Sequence, residues 1–230
     1  MFIEIYSAYS AKEKGKDDIE FSNNIILPAS ALQKLCQMKD FEDTKNPALF
    51  RILNIELYTF SHCGVEEFTA EEGKCYIPSN LFDRLCLEEG QKVNIRKLNL
   101  TSGTYVKLQP HRTEFINLPN VKTILEYNLR NYFCLTEGDT ISAKFEKKIY
   151  KIDILECKPN KAIRTLNCDL KIDFEEPKDF KQYQEKNVNK SKFTTGNNVI
   201  NLEKISDSTI IFKSEKIPVK VSKEEIKKNI

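Results

Sequence analysis

Two ten-residue stretches fifty positions apart constrain this chain more than any other feature of its sequence. The first is Leu27-Pro28-Ala29-Ser30-Ala31-Leu32-Gln33-Lys34-Leu35-Cys36; the second is Ile77-Pro78-Ser79-Asn80-Leu81-Phe82-Asp83-Arg84-Leu85-Cys86. In each, an apolar strand end (Asn24–Leu27, Lys74–Ile77) runs into a proline, a small or polar residue suited to capping, and a short helical pattern. Proline is tolerated at such an entry because the first helical turn needs no amide donor there. Helical spacing puts Leu32, Leu35 and Cys36 on one face of the first helix, and Phe82, Leu85 and Cys86 on one face of the second. Gly90 is placed to stop the second helix. A strand–helix–strand unit used twice predicts a barrel with internal twofold pseudosymmetry.

Strand-like runs surround those helices at Ala48–Leu57, Tyr58–Thr69, Lys92–Leu100 and Thr104–Gln109. Gln109-Pro110-His111-Arg112-Thr113-Glu114 reads as a linker. Beyond it, Val121, Ile124, Leu125, Leu129 and Tyr132 fall at helical spacing within Pro119–Tyr132. Strands are then expected near Thr140–Phe145, Ile149–Glu156, Ala162–Leu166 and Leu170–Phe174, forming a second, small unit. After Pro177 the chain turns polar and lysine-rich, the composition of a largely disordered tail. Two islands interrupt that tail, Phe193–Leu202 and Ile205–Phe212.

Charge follows the same division. Residues 181–230 hold 11 Lys and 6 acidic residues, a net of +5, which leaves residues 1–180 with 25 basic and 28 acidic, a net of −3. A nucleic-acid platform would instead carry its positive charge on the folded body. No apolar run approaches the ~18 residues of a membrane span, and Met1–Tyr9 is too short and too interrupted for a signal-peptide core. Seven cysteines without C-x-x-C spacing fit a reducing compartment, where they serve as small apolar groups.

Motifs for catalysis are missing. The 230 residues contain no G-x-G-x-x-G, P-loop, G-x-S-x-G or H-E-x-x-H pattern. His62 and Cys63 are neighbours on a strand, so their side chains point to opposite faces and cannot share a metal. His62 therefore reads as structural. The pairs Glu66-Glu67, Glu71-Glu72 and Glu88-Glu89 adjoin turn residues and read as solvated, not as acid–base pairs.

Five collinear stretches carry a resemblance to a known family: His62–Pro78, Leu87–Pro110, Ile124–Ile141, Ile149–Ala162 and Cys168–Pro177. In this order, from about Asn24 to Pro177, the chain resembles the ubiquitin fusion degradation protein 1 family. The resemblance implies an α+β, β-rich fold: a double-psi β-barrel subdomain (1–111), a small α/β roll subdomain (112–178) and a mostly disordered C-terminal tail (179–230) with partner-binding segments. It implies a non-enzymatic adaptor without cofactor. Such an adaptor binds ubiquitin and polyubiquitin and, with a nuclear protein localisation 4 family subunit, serves a valosin-containing-protein (Cdc48-class) AAA ATPase. The expected setting is the cytoplasm, with the nucleus and the cytosolic face of the endoplasmic reticulum as further stations. Phe193, Gly196 and Ile200 align with the family's ATPase-docking segment, although one expected glycine is missing and Gly196 is out of step. Asn201, Glu203, Ile210, Ile211 and Phe212 align with its partner-binding segment. No ubiquitin-contacting residue can be assigned from the resemblance. The competing reading is a paralogous ATPase adaptor of organelle protein import that has lost ubiquitin binding.

Overall fold

The structure is a computed structural model that describes residues 1–15, 17–38, 47–180 and the backbone of 208–211. The chain divides into two compact units after Asn99.

The first unit is a closed six-stranded barrel of β1 (Ile3–Ser10), β2 (Asn24–Pro28), β3 (Leu49–Asn54), β4 (Phe60–Ala70), β5 (Lys74–Ile77) and β6 (Lys92–Leu98). Around the barrel the order is β1-β5-β2-β4-β3-β6. β1 with β5 and β2 with β4 run parallel, and the other pairs are antiparallel. Exchange β1 for β4, β2 for β5 and β3 for β6, and every neighbour and every pairing direction is reproduced. The fifty-residue repeat seen in the sequence is therefore the twofold of the barrel. Helix α1 (Ala29–Cys36) follows β2, and α2 (Ser79–Arg84) follows β5.

Three details of those helices differ from the expectation. The N-cap positions are Pro28 and Pro78, and neither offers a side-chain cap. A carboxylate from the other half of the barrel serves instead. Glu72 accepts from the Ser30 amide at 3.3 Å and its hydroxyl at 2.5 Å. Glu20 accepts from the Ser79 amide at 3.3 and 3.2 Å. Members of two acidic pairs, though exposed, also serve as acceptors: Glu66 takes the Asn24 amide group at 3.0 Å, and Glu71 takes the Tyr76 hydroxyl at 2.6 Å. The buried stripes are Ala31 with Leu35 and Leu81 with Leu85, while Cys36 and Cys86 are exposed. Helices this short have room for one i, i+4 pair facing inward. α2 ends at Arg84, and Cys86, with φ of 52°, makes the left-handed exit expected of Gly90. Gly90 turns the chain into β6, and its amide donates to the Ala8 carbonyl at 2.7 Å.

Burying Leu35 and Leu85 completely contributes roughly 2 kcal/mol each. They close the core formed by Ile25, Leu27, Phe50, Ile52, Ile77, Val93 and Ile95.

The second unit holds a five-stranded sheet, ordered β13-β12-β7-β10-β9. Its members are β7 (Tyr105–Pro110), β9 (Thr140–Phe145), β10 (Lys148–Lys158), β12 (Asp169–Phe174) and β13 (Ser208–Ile211). A two-stranded sheet pairs β8 (Cys134–Thr136) with β11 (Ala162–Arg164). The short α3 (Thr113–Ile116) and the longer α4 (Val121–Leu129) complete the unit. α4 buries Val121, Ile124, Leu125 and Leu129 in the same core as Val106, Leu108, Ile152 and Ile172.

The sequence placed the unit boundary at 111/112 and a linker at 109–114, and the structure differs at both. β7 lies inside the second sheet, antiparallel to β10 and parallel to β12. The linker residues are bound in place. His111 Nε2 sits 2.7 Å from Asp153 Oδ1, and Thr140 Oγ1 donates to the same oxygen at 2.7 Å, while Lys178 pairs with Asp153 Oδ2. Burial works to raise the Asp153 carboxyl, but these hydrogen bonds from Lys178, His111 and Thr140 outweigh it and hold it below its ordinary value. Asp179, expected in the tail, accepts from the Thr113 amide and hydroxyl at 2.6 Å each.

His62 is buried on β4, as a structural residue would be. Burial, aided by the charge of Arg51, pushes its imidazole down to about 4. The unfolded chain binds that proton near pH 6.5 and the folded chain only near pH 4, so stability rises with pH between these values. Acidification from pH 7 to 4.5 is predicted to cost on the order of 2–3 kcal/mol through this residue. Urea unfolding at both pH values, with His62→Leu as the comparison, should show a shallower pH slope in the variant.

Candidate functional site

β3 ends at Asn54 and β4 begins at Phe60, so residues 55–59 form a hairpin loop. Asn54 is fully buried beneath it. Its Oδ1 accepts from the amides of Glu56 at 3.0 Å and Leu57 at 3.4 Å, while its Nδ2 donates to the carbonyls of Leu85 at 3.0 Å and Cys86 at 3.4 Å. Thr59 Oγ1 donates to the same Leu85 carbonyl at 2.7 Å. The Tyr58 amide closes the loop on the Asn54 carbonyl at 2.9 Å. One buried side chain thus welds the hairpin to the segment that follows α2.

What this rigid loop presents is apolar. Leu57 is 56% exposed and Tyr58 77% exposed. Tyr58 also has φ of 57°, a left-handed conformation that costs a residue with a Cβ about 1–2 kcal/mol. A bulky aromatic held out into water on a strained backbone earns no folding energy, and such outliers concentrate at binding sites.

Carboxylates accompany the tip. Glu56, Asp83 and Glu88 are exposed. Gln91 bridges two parts of this acidic rim: its Nε2 donates to Glu56 Oε2 at 2.7 Å, and its Oε1 accepts the Glu88 amide at 3.1 Å. Glu89 is turned away to receive the Ser10 amide at 3.1 and 3.2 Å. In 82–91, three carboxylates stand against one arginine. Such an arrangement suits recognition of an apolar patch bordered by cations. The sequence hid it because the alternating pattern reads straight through as strands Ala48–Leu57 and Tyr58–Thr69. The only local signal is Asn54, a residue type common at turn entries.

The site residues expected from the resemblance fall elsewhere. Phe193, Gly196, Ile200, Asn201, Glu203 and Phe212 lie outside the described residues. Ile210 and Ile211 belong to β13, whose backbone pairs with β12 opposite Leu170 and Asp169. Among the described residues, no group of three or more His, Cys, Asp or Glu could hold a metal ion, and no helix is long and apolar enough to cross a membrane.

Comparison with known proteins follows the structural division closely. Residues 2–101 match the family model described as Ubiquitin fusion degradation protein UFD1, N-terminal subdomain 1, and residues 102–177 match that of N-terminal subdomain 2. The chain belongs to the ubiquitin fusion degradation protein 1 family. It is 39% identical over 181 residues to a Homo sapiens protein named ubiquitin recognition factor in ER-associated degradation protein 1, covering 79% of this chain and 57% of that protein. Over 169 residues it is 38% identical to the ubiquitin fusion degradation protein 1 homolog of Dictyostelium discoideum, with 74% and 50% covered. Over 165 residues it is 37% identical to ubiquitin fusion degradation protein 1 of Saccharomyces cerevisiae, with 70% and 45% covered. The chain spans about half the length of these curated relatives. Within this family member, the subdomain 1 match contains the whole barrel and its hairpin tip.

Asn54→Ala removes the tie between that hairpin and the segment after α2, leaving buried amides and carbonyls without their partners. The variant is predicted to lose about 2–3 kcal/mol of stability, read as a lower urea midpoint.

Proposed function

We propose that the chain is a non-enzymatic adaptor that binds ubiquitin and polyubiquitin on client proteins and delivers them to a Cdc48-class AAA unfoldase for extraction and degradation. The observation that carries this reading is the collinear match of both compact units to the two N-terminal subdomains of the family. The names of the relatives, which speak of ubiquitin recognition and of ER-associated degradation, support it. We read the closed, internally twofold barrel as a double-psi barrel and the second unit as the α/β roll that accompanies it.

Ubiquitin presents a small apolar patch ringed by basic groups. The exposed Leu57–Tyr58 tip, rimmed by Glu56, Asp83 and Glu88, is complementary to it in both respects, and we place the ubiquitin contact there. A tip of this size makes a small interface, and small interfaces bind weakly. Several ubiquitins on one client, held by several adaptors around one unfoldase, raise the effective affinity a hundredfold or so.

Delivery falls to residues beyond 180. Phe193, Gly196 and Ile200 are proposed to dock on the ATPase, Phe193 filling an apolar pocket. Asn201, Glu203, Ile210, Ile211 and Phe212 are proposed to hold the nuclear protein localisation 4 family subunit. Extraction of clients would place the protein in the cytoplasm and at the cytosolic face of the endoplasmic reticulum.

Tyr58→Gly tests the recognition site without harming the fold. Glycine accepts a left-handed φ freely but adds chain entropy to the unfolded state. Stability is therefore predicted to stay level or rise by up to about 1 kcal/mol, while affinity for ubiquitin chains falls about fivefold or more. Titration of labelled polyubiquitin into the full chain reads this directly. No binding by the parent chain would return the organelle-import reading. Phe193→Ala should weaken ATPase binding in a calorimetric titration and leave ubiquitin binding intact; unchanged ATPase affinity sinks the docking assignment.

A further inference from the structure

The wall of the barrel carries a second exposed surface, and its charge is opposite to that of the hairpin tip. Cross-strand register lays out two rows over β1, β6, β3 and β4. One reads Ile3–Arg96–Arg51–His62, the next Ile5–Asn94–Leu53–Phe60. Strand alternation puts these rows on the outer side of the barrel, because Phe50, Ile52, Val93 and Ile95 between them are buried. Ile3, Ile5, Arg96 and Phe60 are exposed, while His62 at the end of the first row is covered. Three large apolar side chains stand in water there: Ile3 at 47%, Ile5 at 57% and Phe60 at 43% exposure.

Among the described residues, the arginines of this wall have no acidic partner. Arg51 and Arg96 are direct cross-strand partners, a like-charge pairing that costs the sheet stability. Neither arginine has a carboxylate at ion-pair distance among the described residues. The Arg51 guanidinium lies 4.2 Å from the centroid of the Phe60 ring, and its Nε is buried without a hydrogen-bond partner. In the adjoining row Lys92 donates to the Ser7 hydroxyl at 2.9 Å. No outward position in these rows is acidic. Two opposed arginines beside bare isoleucines destabilise a free barrel wall; a ligand with carboxylates and apolar side chains would relieve both costs at once.

We propose that this wall is a second docking surface, whose occupant is a segment of a partner protein combining carboxylates with bulky aliphatic or aromatic side chains. The net charge of +5 over residues 181–230 disfavours the chain's own tail as that occupant. A basic-ringed apolar patch, the chemistry assigned above to the hairpin tip, is disfavoured for the same reason. The closed barrel offers no free strand edge, so recognition here runs through side chains and not through added backbone pairing.

Arg96→Glu separates binding from folding, since it turns a repulsive pair with Arg51 into an attractive one. The probe is a fluorescein-labelled peptide alternating Glu or Asp with Ile or Phe, titrated into the full chain by fluorescence anisotropy. Controls are the same peptide with lysines for its carboxylates and with serines for its apolar residues. The proposal requires that the acidic–apolar peptide bind at least about tenfold tighter than either control, and that its affinity fall with added salt. It also requires that Arg96→Glu weaken that peptide about tenfold while thermal stability is kept or raised and polyubiquitin binding is unchanged. Equal binding of the lysine or serine peptide overturns it, as does an Arg96→Glu variant that binds the acidic peptide undiminished. Loss of polyubiquitin binding in Arg96→Glu would also overturn it, by showing that ubiquitin occupies this wall. If Arg96→Glu fails to fold, Ile5→Ser is measured in its place, with the same loss required.

Discussion

Every strand interface in the barrel joins one half of the repeat to the other. β1, β2 and β3 never pair among themselves, and neither do β4, β5 and β6; all six contacts around the ring cross between the halves. The helix caps obey the same rule, Glu72 of the second half serving α1 and Glu20 of the first serving α2. Each half alone would leave its backbone groups and its apolar faces uncovered. The two fold together or not at all, and the outcome is a ring without a free edge. This interleaving gives the short hairpin and the barrel wall their fixed places in the ring.

The surfaces that result are chemically distinct. At one end of β3, the buried Asn54 fixes an apolar tip with an acidic rim. Along β3 and β6, Arg51 and Arg96 colour an apolar wall positive. A body with a net charge of −3 therefore has no uniform field, and its overall charge is a poor guide to either surface. On the proposed reading, opposite local charges on one small unit would let two partners be told apart by electrostatics, with apolar contact supplying the affinity.

Much of this was legible in the linear chain. The repeat around Pro28 and Pro78, the strands at Asn24–Leu27, Lys74–Ile77 and Thr140–Phe145, and the helix near 121–129 follow from short-range pattern. Leu35 and Leu85 were visible as core residues for the same reason. Where the pattern misled, a distant partner had intervened. Gln109–Glu114 looks like a linker because it contains Pro110 and polar side chains, yet Asp153 and Asp179 bind it in place. Cys36 and Cys86 look inward-facing by spacing but lie where their helices end. Thr104–Gln109 reads as one more barrel strand, and only the pairing of β7 with β10 and β12 places it in the second unit.

The amino-acid sequence by itself determined that the chain makes two β-rich units, that the first is built twice from one strand–proline–helix motif, and to which family it belongs. These are properties of local order, carried by side-chain periodicity and by collinear similarity. Which carboxylate caps which helix, which strand closes which sheet, and which apolar residues stay in water were decided only in three dimensions. Each of those depends on groups tens of residues apart meeting across a strand or a turn. Tyr58 and Arg96 are ordinary strand residues in the linear chain; the buried amide of Asn54 and the register of β3 on β6 make them a tip and a wall.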